Sequence, residues 1–336
     1  MLSDITVSFA PHISKHHSTR SIMLDVIIGL SPAMIAAVYF FRQYAFILVI
    51  TCVLSSVATE WICNLIRKKS NSIDDLSAVV TGIILAFSLP PNFPVWAAIV
   101  GSVFAIAIGK MVFGGLGANI FNPAMAGRAF LTASFGMMMT TWTVPATINP
   151  AMPQISPENT VDTRTQATPL MLSKEIQKKQ FGAKELNGQL SNLFFGEVGG
   201  CLGETSALAL LIGGIYLLIR RTINFHIPVA VLLSAFIFGT VPYLVNSDAY
   251  ISPFTHLCSG GLLIGAFFIA TDPVTAPLTR RGMWLFGIGV GTITMLIRIV
   301  GAYPEGMMYS ILIMNSVTPL IDRLFRKIPA GGKPNA

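Results

Sequence analysis

The sequence predicts an all-α polytopic membrane protein: ten transmembrane helices forming two inverted five-helix repeats, both termini cytoplasmic, with one long outer loop between spans five and six. Three observations predict it. First, 53% of the 336 residues are hydrophobic and only 11% are charged, against about 25% charged in soluble domains. With a mean hydropathy of +0.68, polar surface is too scarce to cover a soluble fold, and the apolar remainder has to face lipid. Second, apolar runs of spanning length recur along the whole chain. Third, the basic residues gather in short clusters between those runs, as the positive-inside rule requires; the net charge of +7 is therefore read as membrane orientation and not as nucleic-acid binding.

A helix needs roughly 20 apolar residues to cross the hydrocarbon core. Residues 22–41, 44–66, 95–113, 206–219, 227–245, 284–302 and 306–321 supply such runs, the run at 206–219 once Gly203 to Thr205 extend it. Three segments are weaker. Residues 76–89 and 257–271 are short and closed by a proline, and residues 119–138 are interrupted by Asn122, Pro123 and Arg128. Charge tests the count. With the N-terminus inside, Lys15, Arg20, Arg67, Lys68, Lys69, Lys110, Arg220, Arg221, Arg280, Arg281, Arg323, Arg326, Lys327 and Lys333 fall on the inner side, fourteen of the 22 basic residues. Short outer loops hold only Arg42, while Arg128 and Arg298 lie inside spans. Dropping any weak segment misplaces every later cluster. The expected organisation is a cytoplasmic N-terminus at 1–21, a first repeat at 22–138, an outer loop at 139–204, a second repeat at 205–322 and a cytoplasmic C-terminus at 323–336. The first twenty residues are polar and carry no signal-peptide core, so the first span is expected to direct insertion.

The repeat shows in paired features. Spans three and eight are both short, glycine-bearing and proline-ended, and spans five and ten each carry a proline followed by an arginine, Pro123 with Arg128 and Pro319 with Arg323. Five is odd, so the second half enters from the opposite side, and interrupted helices at matching positions of inverted halves point to a site near the midplane.

Cysteine usage argues against a metal or cluster. Of Cys52, Cys63, Cys201 and Cys258, the first two lie eleven residues apart in one apolar run with no histidine at ligand spacing, and the chain has no CxxC pair. Cys201 and Cys258 both fall towards the outer face, where a disulfide is allowed but not expected. Gly287-x-Gly289-x-Gly291 lies inside a span and follows no strand, so it reads as close helix packing and not as a dinucleotide fingerprint. No Walker loop, catalytic triad or HExxH occurs.

The loop at 139–204 is the only sizeable segment outside the membrane, and loops of that length tend to be functional or disordered. Its core reads Asp162-Thr163-Arg164-Thr165-Gln166-Ala167-Thr168-Pro169-Leu170, followed by a plausible short helix through Lys179 that Gly182 ends. Threonine at the N-cap with proline at N1 is a favoured helix start. Proline also biases Thr168 towards an extended backbone, which is expected to leave its hydroxyl exposed. A phosphate on that hydroxyl would meet free N–H groups and the helix dipole. Plain helix capping accounts for the same residues.

Three segments also carry a resemblance. Asp162-x-x-Thr165-x-Ala167-Thr168-Pro169-Leu170 resembles the flavinylation motif of the family containing the D subunit of Rnf complexes and the B subunit of the sodium-pumping NADH:quinone reductase. Asn119-Ile120-Phe121-Asn122-Pro123-Ala124 through Phe130 resembles its Asn-Pro-Ala segment. Ser259-Gly260-Gly261 through Ala270-Thr271-Asp272-Pro273-Val274-Thr275-Ala276-Pro277 resembles its second signature. The resemblance covers essentially the whole chain, and the short N-terminus is closer to the Rnf branch. It implies a covalent FMN joined through its phosphate to Thr168, with Asp162, Thr165 and Ala167 as motif positions read by a flavin transferase that uses FAD as donor. Gln166 departs from the small residue usual there. It further implies two inverted five-helix halves related to urea and ammonium channels. It implies electron relay between ferredoxin and NAD coupled to Na⁺ or H⁺ movement across a bacterial or archaeal cytoplasmic membrane. The A, B, C, E and G subunits are implied as partners, besides membrane lipid, because this chain has neither a nicotinamide fold nor cluster ligands. Family analogy admits a bound riboflavin as well, which no motif encodes. The rival readings are a channel or small-solute permease on the same scaffold, and the quinone-reductase B subunit.

Several polar residues keep two readings. Arg128, near the middle of span five, is too costly to face lipid; it contacts a flavin or ion path, or a structural partner such as a helix-end carbonyl or Asp272. Asn119 and Asn122 either line a non-covalent flavin pocket or cap the broken helix. Asp25 is an ion ligand or, the favoured reading, an interfacial partner of Arg20 or Lys15; Glu60 also lies near an inner span end. Asp272 is functional by analogy or a helix-end residue near Arg280.

Overall fold

The computed structural model describes residues 18–68, 72–142, 168–179 and 182–326, and among these residues every regular element is helical. The first half runs α1 (Thr19–Phe41), α2 (Gln43–Ile66), α3 (Ser77–Phe87), α4 (Val95–Ile106, continued by a π turn at Ala107–Met111) and α5 (Pro123–Ser134). A short α6 (Gly136–Met139) follows, and α7 (Pro169–Lys179), α8 (Ala183–Gly188) and α9 (Leu190–Phe195) occupy the described part of the long loop. The second half runs α10 (Ala207–Ile219), α11 (His226–Val245), α12 (Pro253–Cys258), α13 (Leu262–Ile264, continued by a π turn at Gly265–Ile269), α14 (Arg280–Ile299) and α15 (Met307–Leu324). Helical segments thus occur at all ten positions where the sequence predicts spans. Four of them, α1, α2, α11 and α14, are long and apolar enough to cross a membrane on their own, and the large apolar residues along them that are exposed in the isolated chain are consistent with a lipid-facing surface.

Local chemistry explains the breaks. A side-chain cap followed by proline starts a helix once in each half: Asn122 Oδ1 accepts from the Met125 N–H ahead of Pro123, and Ser252 Oγ accepts from the Thr255 N–H ahead of Pro253. Span five is therefore shorter than expected, because residues 119–122 form the approach to α5 and do not belong to it. α3, closed by the Leu89-Pro90 sequence, has its end carbonyls met by residues distant in the chain. Phe87 O accepts from Gly203 N at 2.8 Å, Leu89 O from Leu202 N at 3.1 Å, and Ser88 O from the Cys201 thiol at 3.2 Å.

The halves share a packing plan. The second helix of each packs on the fourth and the fourth on the fifth, α2–α4–α5 and α11–α14–α15, while α1 and α10 pack on each other across the halves. One predicted pairing fails. Pro123 starts α5 and Arg128 is buried, whereas Pro319 lies inside α15 and Arg323 is exposed, so these residues do not correspond. The Gly287-x-Gly289-x-Gly291 run serves packing as expected: Gly287 and Gly291 lie against Ile227, Ala230, Val231 and Ser234 of α11, and Gly289 against Met314. The tightest approach is between α1 and α10, where a Cβ on Gly213 would collide with the Gly29 carbonyl oxygen. Gly213→Ala is therefore expected to destabilise the fold by about 1–3 kcal/mol, read as an earlier thermal transition in detergent. Gly188→Ala, at a position with open space, should leave that transition in place.

Three charge assignments change. Lys110, predicted as an inner-loop charge, is 1% exposed and holds Glu60, itself 0% exposed, at 2.8 Å. Among the described residues Asp25 does not pair with Arg20, and Lys15 lies outside them: Asp25 accepts from Thr222 at 2.9 Å, Tyr216 at 3.2 Å and Arg220 at 3.4 Å, all from or just after α10. Asp272 accepts from the Val274 N–H and the Thr275 hydroxyl instead of from Arg280. The four cysteines are free thiols.

Candidate cofactor site

Thr168 opens α7 as its sequence requires. Its hydroxyl oxygen accepts from the Met171 N–H at 3.2 Å and its carbonyl from Leu172 N at 2.9 Å, with Pro169 as the first helical residue. The expected exposure is not found. Thr168 is only 8% exposed and forms part of the wall of a cavity of about 810 Å³. Pre-proline extension fixes the backbone, but the docking of α7 decides what the side chain faces. Leu170 is buried towards the second half, and Lys174 donates to the Gly301 carbonyl at 2.6 Å, beyond the C-terminus of α14. On the other face Leu172 and Ile176 pack on Ala183, Leu186 and Ile251. Asn187 of α8 accepts from Ser252 N and the Thr255 hydroxyl, tying the loop helices to the start of α12.

The cavity beside Thr168 is mostly apolar and aromatic, with Trp142, Met139, Tyr303, Met308 and Tyr309, and it carries three charged groups, Arg128, Glu204 and Glu305. Arg128 takes neither predicted structural partner. Its Nη2 lies 3.8 Å from Glu204 Oε1 and 3.7 Å from Cys201 Sγ. Glu305 accepts from Arg298 Nη2 and from the Gly261, Gly306 and Met307 N–H groups, each at 2.9–3.0 Å. Burial opposes the Glu305 charge, but Arg298, these N–H groups and Arg128 outweigh it and hold the carboxyl below its usual range. Burial pushes Glu204 the other way, up, with Arg128 only partly countering it. Burial and the neighbouring Glu204 push the Cys201 thiol well up, so it stays protonated.

A second cavity, of about 690 Å³, lies against the start of α3 and the approach to α5. Asn119 and Asn122 line it together, with Ser77, Thr81, Lys110 and Asp272 among its polar groups and Met23, Leu217, Phe267 and Phe268 among its apolar ones. Asn122 spends its Oδ1 on the α5 cap, while Asn119 donates to the Phe121 carbonyl and its own Oδ1 is buried without a hydrogen-bond partner among the described residues. The structure thus divides the predicted site residues, Thr168 and Arg128 in one cavity and Asn119 and Asn122 in the other. Asp162, Thr165 and Ala167, with Gln166, lie outside the described residues. Sequence reasoning missed Glu204 and Glu305. Each stands one or two residues before a predicted apolar run, in a chain with only 15 acidic residues, which was the available signal. Among the described residues no cluster of histidine, cysteine and carboxylate side chains forms a metal site.

This fold and site define a multi-pass helical membrane protein that presents a helix-capping threonine to a buried, charged cavity. Comparison with known proteins narrows the class. The chain belongs to the NQR2, RnfD, RnfE family, whose model matches residues 6–331. It is 49% identical over 329 residues to the D subunit of the Na⁺-translocating ferredoxin:NAD⁺ oxidoreductase complex of Acetobacterium woodii, covering 96% of this chain and 94% of that one. It is 40% identical over 333 residues to the D subunit of the proton-translocating ferredoxin:NAD⁺ oxidoreductase complex of Clostridium ljungdahlii, covering 97% and 96%. It is 36% identical over 344 residues to the D subunit of the ion-translocating oxidoreductase complex of Actinobacillus succinogenes, covering 96% of each.

Proposed function

We propose that this chain is the D subunit of an Rnf-type ion-translocating ferredoxin:NAD oxidoreductase and carries an FMN esterified through its phosphate to Thr168. The carrying observation is the position of that hydroxyl, at the N-terminus of α7 and in a cavity wall that also holds Arg128 and three aromatic residues. The residues fit the group. The N-terminus of an eleven-residue helix favours a phosphate by its N–H groups and dipole. Trp142, Tyr303 and Tyr309 offer flat apolar faces, and Arg128 offers a buried positive charge. When bound, the flavin supplies electron transfer. The chain's part is to anchor it, keep water scarce around it and bias its charge state. The other cavity suits a non-covalent riboflavin, on the support of the orphaned Asn119 Oδ1 and the apolar walls.

The relatives named above differ in the ion that their names state, so the reading covers Na⁺ or H⁺ translocation by the assembled complex. The chain is a translocase subunit that is incomplete alone. Its partners are the A, B, C, E and G subunits, with a flavin transferase for maturation. A permease on the same scaffold is less well supported. The two cavities share no lining residue, and α3, which borders one and is capped beside the other, is packed almost throughout.

In this reading the ten helical segments span the membrane as two inverted repeats, with termini inside and the 139–204 loop outside. A reporter fused near Lys178 is expected to register outside; an inside signal overturns the orientation. In-gel flavin fluorescence of the denatured chain, made with its transferase, tests the cofactor, and a dark wild-type band sinks it.

A further inference from the structure

We propose that Glu204 is a redox-linked proton site of the outer cavity, taking up one proton when an electron arrives on the cofactor there and releasing it when the electron leaves. The inference rests on the reading that Thr168 carries a flavin in that cavity.

The two carboxyl groups in the cavity wall are not equivalent. Glu305 is bonded on both oxygens by a guanidinium and three N–H groups. An anion so well served keeps its charge. Glu204 is poorly served. Its Oε2 accepts from Cys201 N at 3.4 Å, and its Oε1 is buried without a hydrogen bond among the described residues. Its side chain is only 9% exposed, and the cation that faces it among the described residues, Arg128, stands off at 3.8 Å. The other groups that face it are Cys201 from its own segment and Glu305 from the α14–α15 connection; Tyr309 of α15 lies beyond Arg128, and Arg298 of α14 is engaged by Glu305. An under-bonded buried carboxylate beside a distant cation is poised to accept a proton. A further negative charge arriving in the same cavity raises its proton affinity on the order of tenfold or more.

The step balances. The electron comes from the reduced carrier that feeds the cofactor, and the proton comes from water at the cavity mouth. The only bond formed is O–H on Glu204, which turns a carboxylate into a carboxylic acid, so the cavity's net charge is unchanged. Reoxidation reverses both changes. Oε1, which lacks a donor in the ionised state, is the oxygen placed to receive the proton.

The test uses the full chain with its flavin attached, alone or in the assembled complex. Infrared difference spectra between oxidised and reduced protein are expected to show a carboxylic-acid carbonyl band on reduction. That band should shift in protein labelled with ¹³C-glutamate and vanish in Glu204→Gln. The flavin potential of Glu204→Gln should also depend less steeply on pH than that of wild type, by up to one proton per electron. Wild-type protein that bears flavin but shows no glutamate band overturns the proposal, and needs no variant. A flavin-bearing Glu204→Gln that keeps both band and slope does the same. A chain that bears no flavin overturns the Thr168 reading itself, and this proposal with it.

Discussion

Thr168→Ala is expected to abolish covalent flavin fluorescence completely, because the proposed ester has no other oxygen at that position. Alanine also removes a helix cap, at a cost of about 1 kcal/mol, so loss of signal in that variant has two sources. Thr168→Asn separates them. Asparagine caps as well as threonine but offers no hydroxyl, and the variant is expected to keep α7 docked through Lys174 and Gly301 while staying dark. Thr168→Ser retains both functions and should recover fluorescence. A band that persists in Thr168→Asn moves the attachment elsewhere, with Thr165 the first candidate.

The second large effect concerns stability. Lys110→Met is expected to cost about 3–5 kcal/mol, since it strands a buried carboxylate. Glu60 lies wholly inside, bonded by Lys110 on both oxygens and by Ser72, while Lys110 also donates to Ser77 at the start of α3. Removing the cation alone leaves a buried charge without the partner that compensates it. The double variant Lys110→Met with Glu60→Gln should recover most of the loss, because the pair's own contribution is small once its desolvation is counted. Thermal unfolding of the purified chain in detergent reads both. Equal destabilisation by the single and double variants would mean that the lysine acts through Ser77 and α3, not through the ion pair.

How much of this was legible beforehand depended on the range of the interaction. The Thr168 cap and the glycine run of α14 are written within a few residues of chain and were legible there, while the Asn122 cap was one of the two readings which that residue kept. The positions of the helical segments were legible too, because hydropathy is summed over a local window. What failed was long-range. Lys110 looked like an orientation signal because charge counting treats a lysine at a span end alike whether it faces lipid headgroups or Glu60, fifty residues earlier. Asp25 was given a neighbour close by in the chain, whereas its partners come from across the two halves. Arg128 was rightly kept from lipid, but its environment, Glu204 and Cys201, is set by a segment that returns over α3. The burial of Thr168 could not be seen for the same reason: it follows from where α7 docks.

That returning segment bears on how the protein is made. α3 has eleven residues, a rise of about 16 Å, against a hydrocarbon core of roughly 30 Å. The groups that complete its end, at Cys201, Leu202 and Gly203, are synthesised long after α3 itself has left the ribosome. Until they arrive, three carbonyls at its end lack the partners that the finished protein gives them. The first half is therefore not a finished unit when it enters the membrane. α3 has to wait, packed on α2 and α4, for the segment at Cys201 to Gly203 to fold back over its end. Closure of α3 and folding of the segment between Thr168 and α10 are thus linked, and on the proposed reading a chain that receives a flavin is one whose third helix has already been closed.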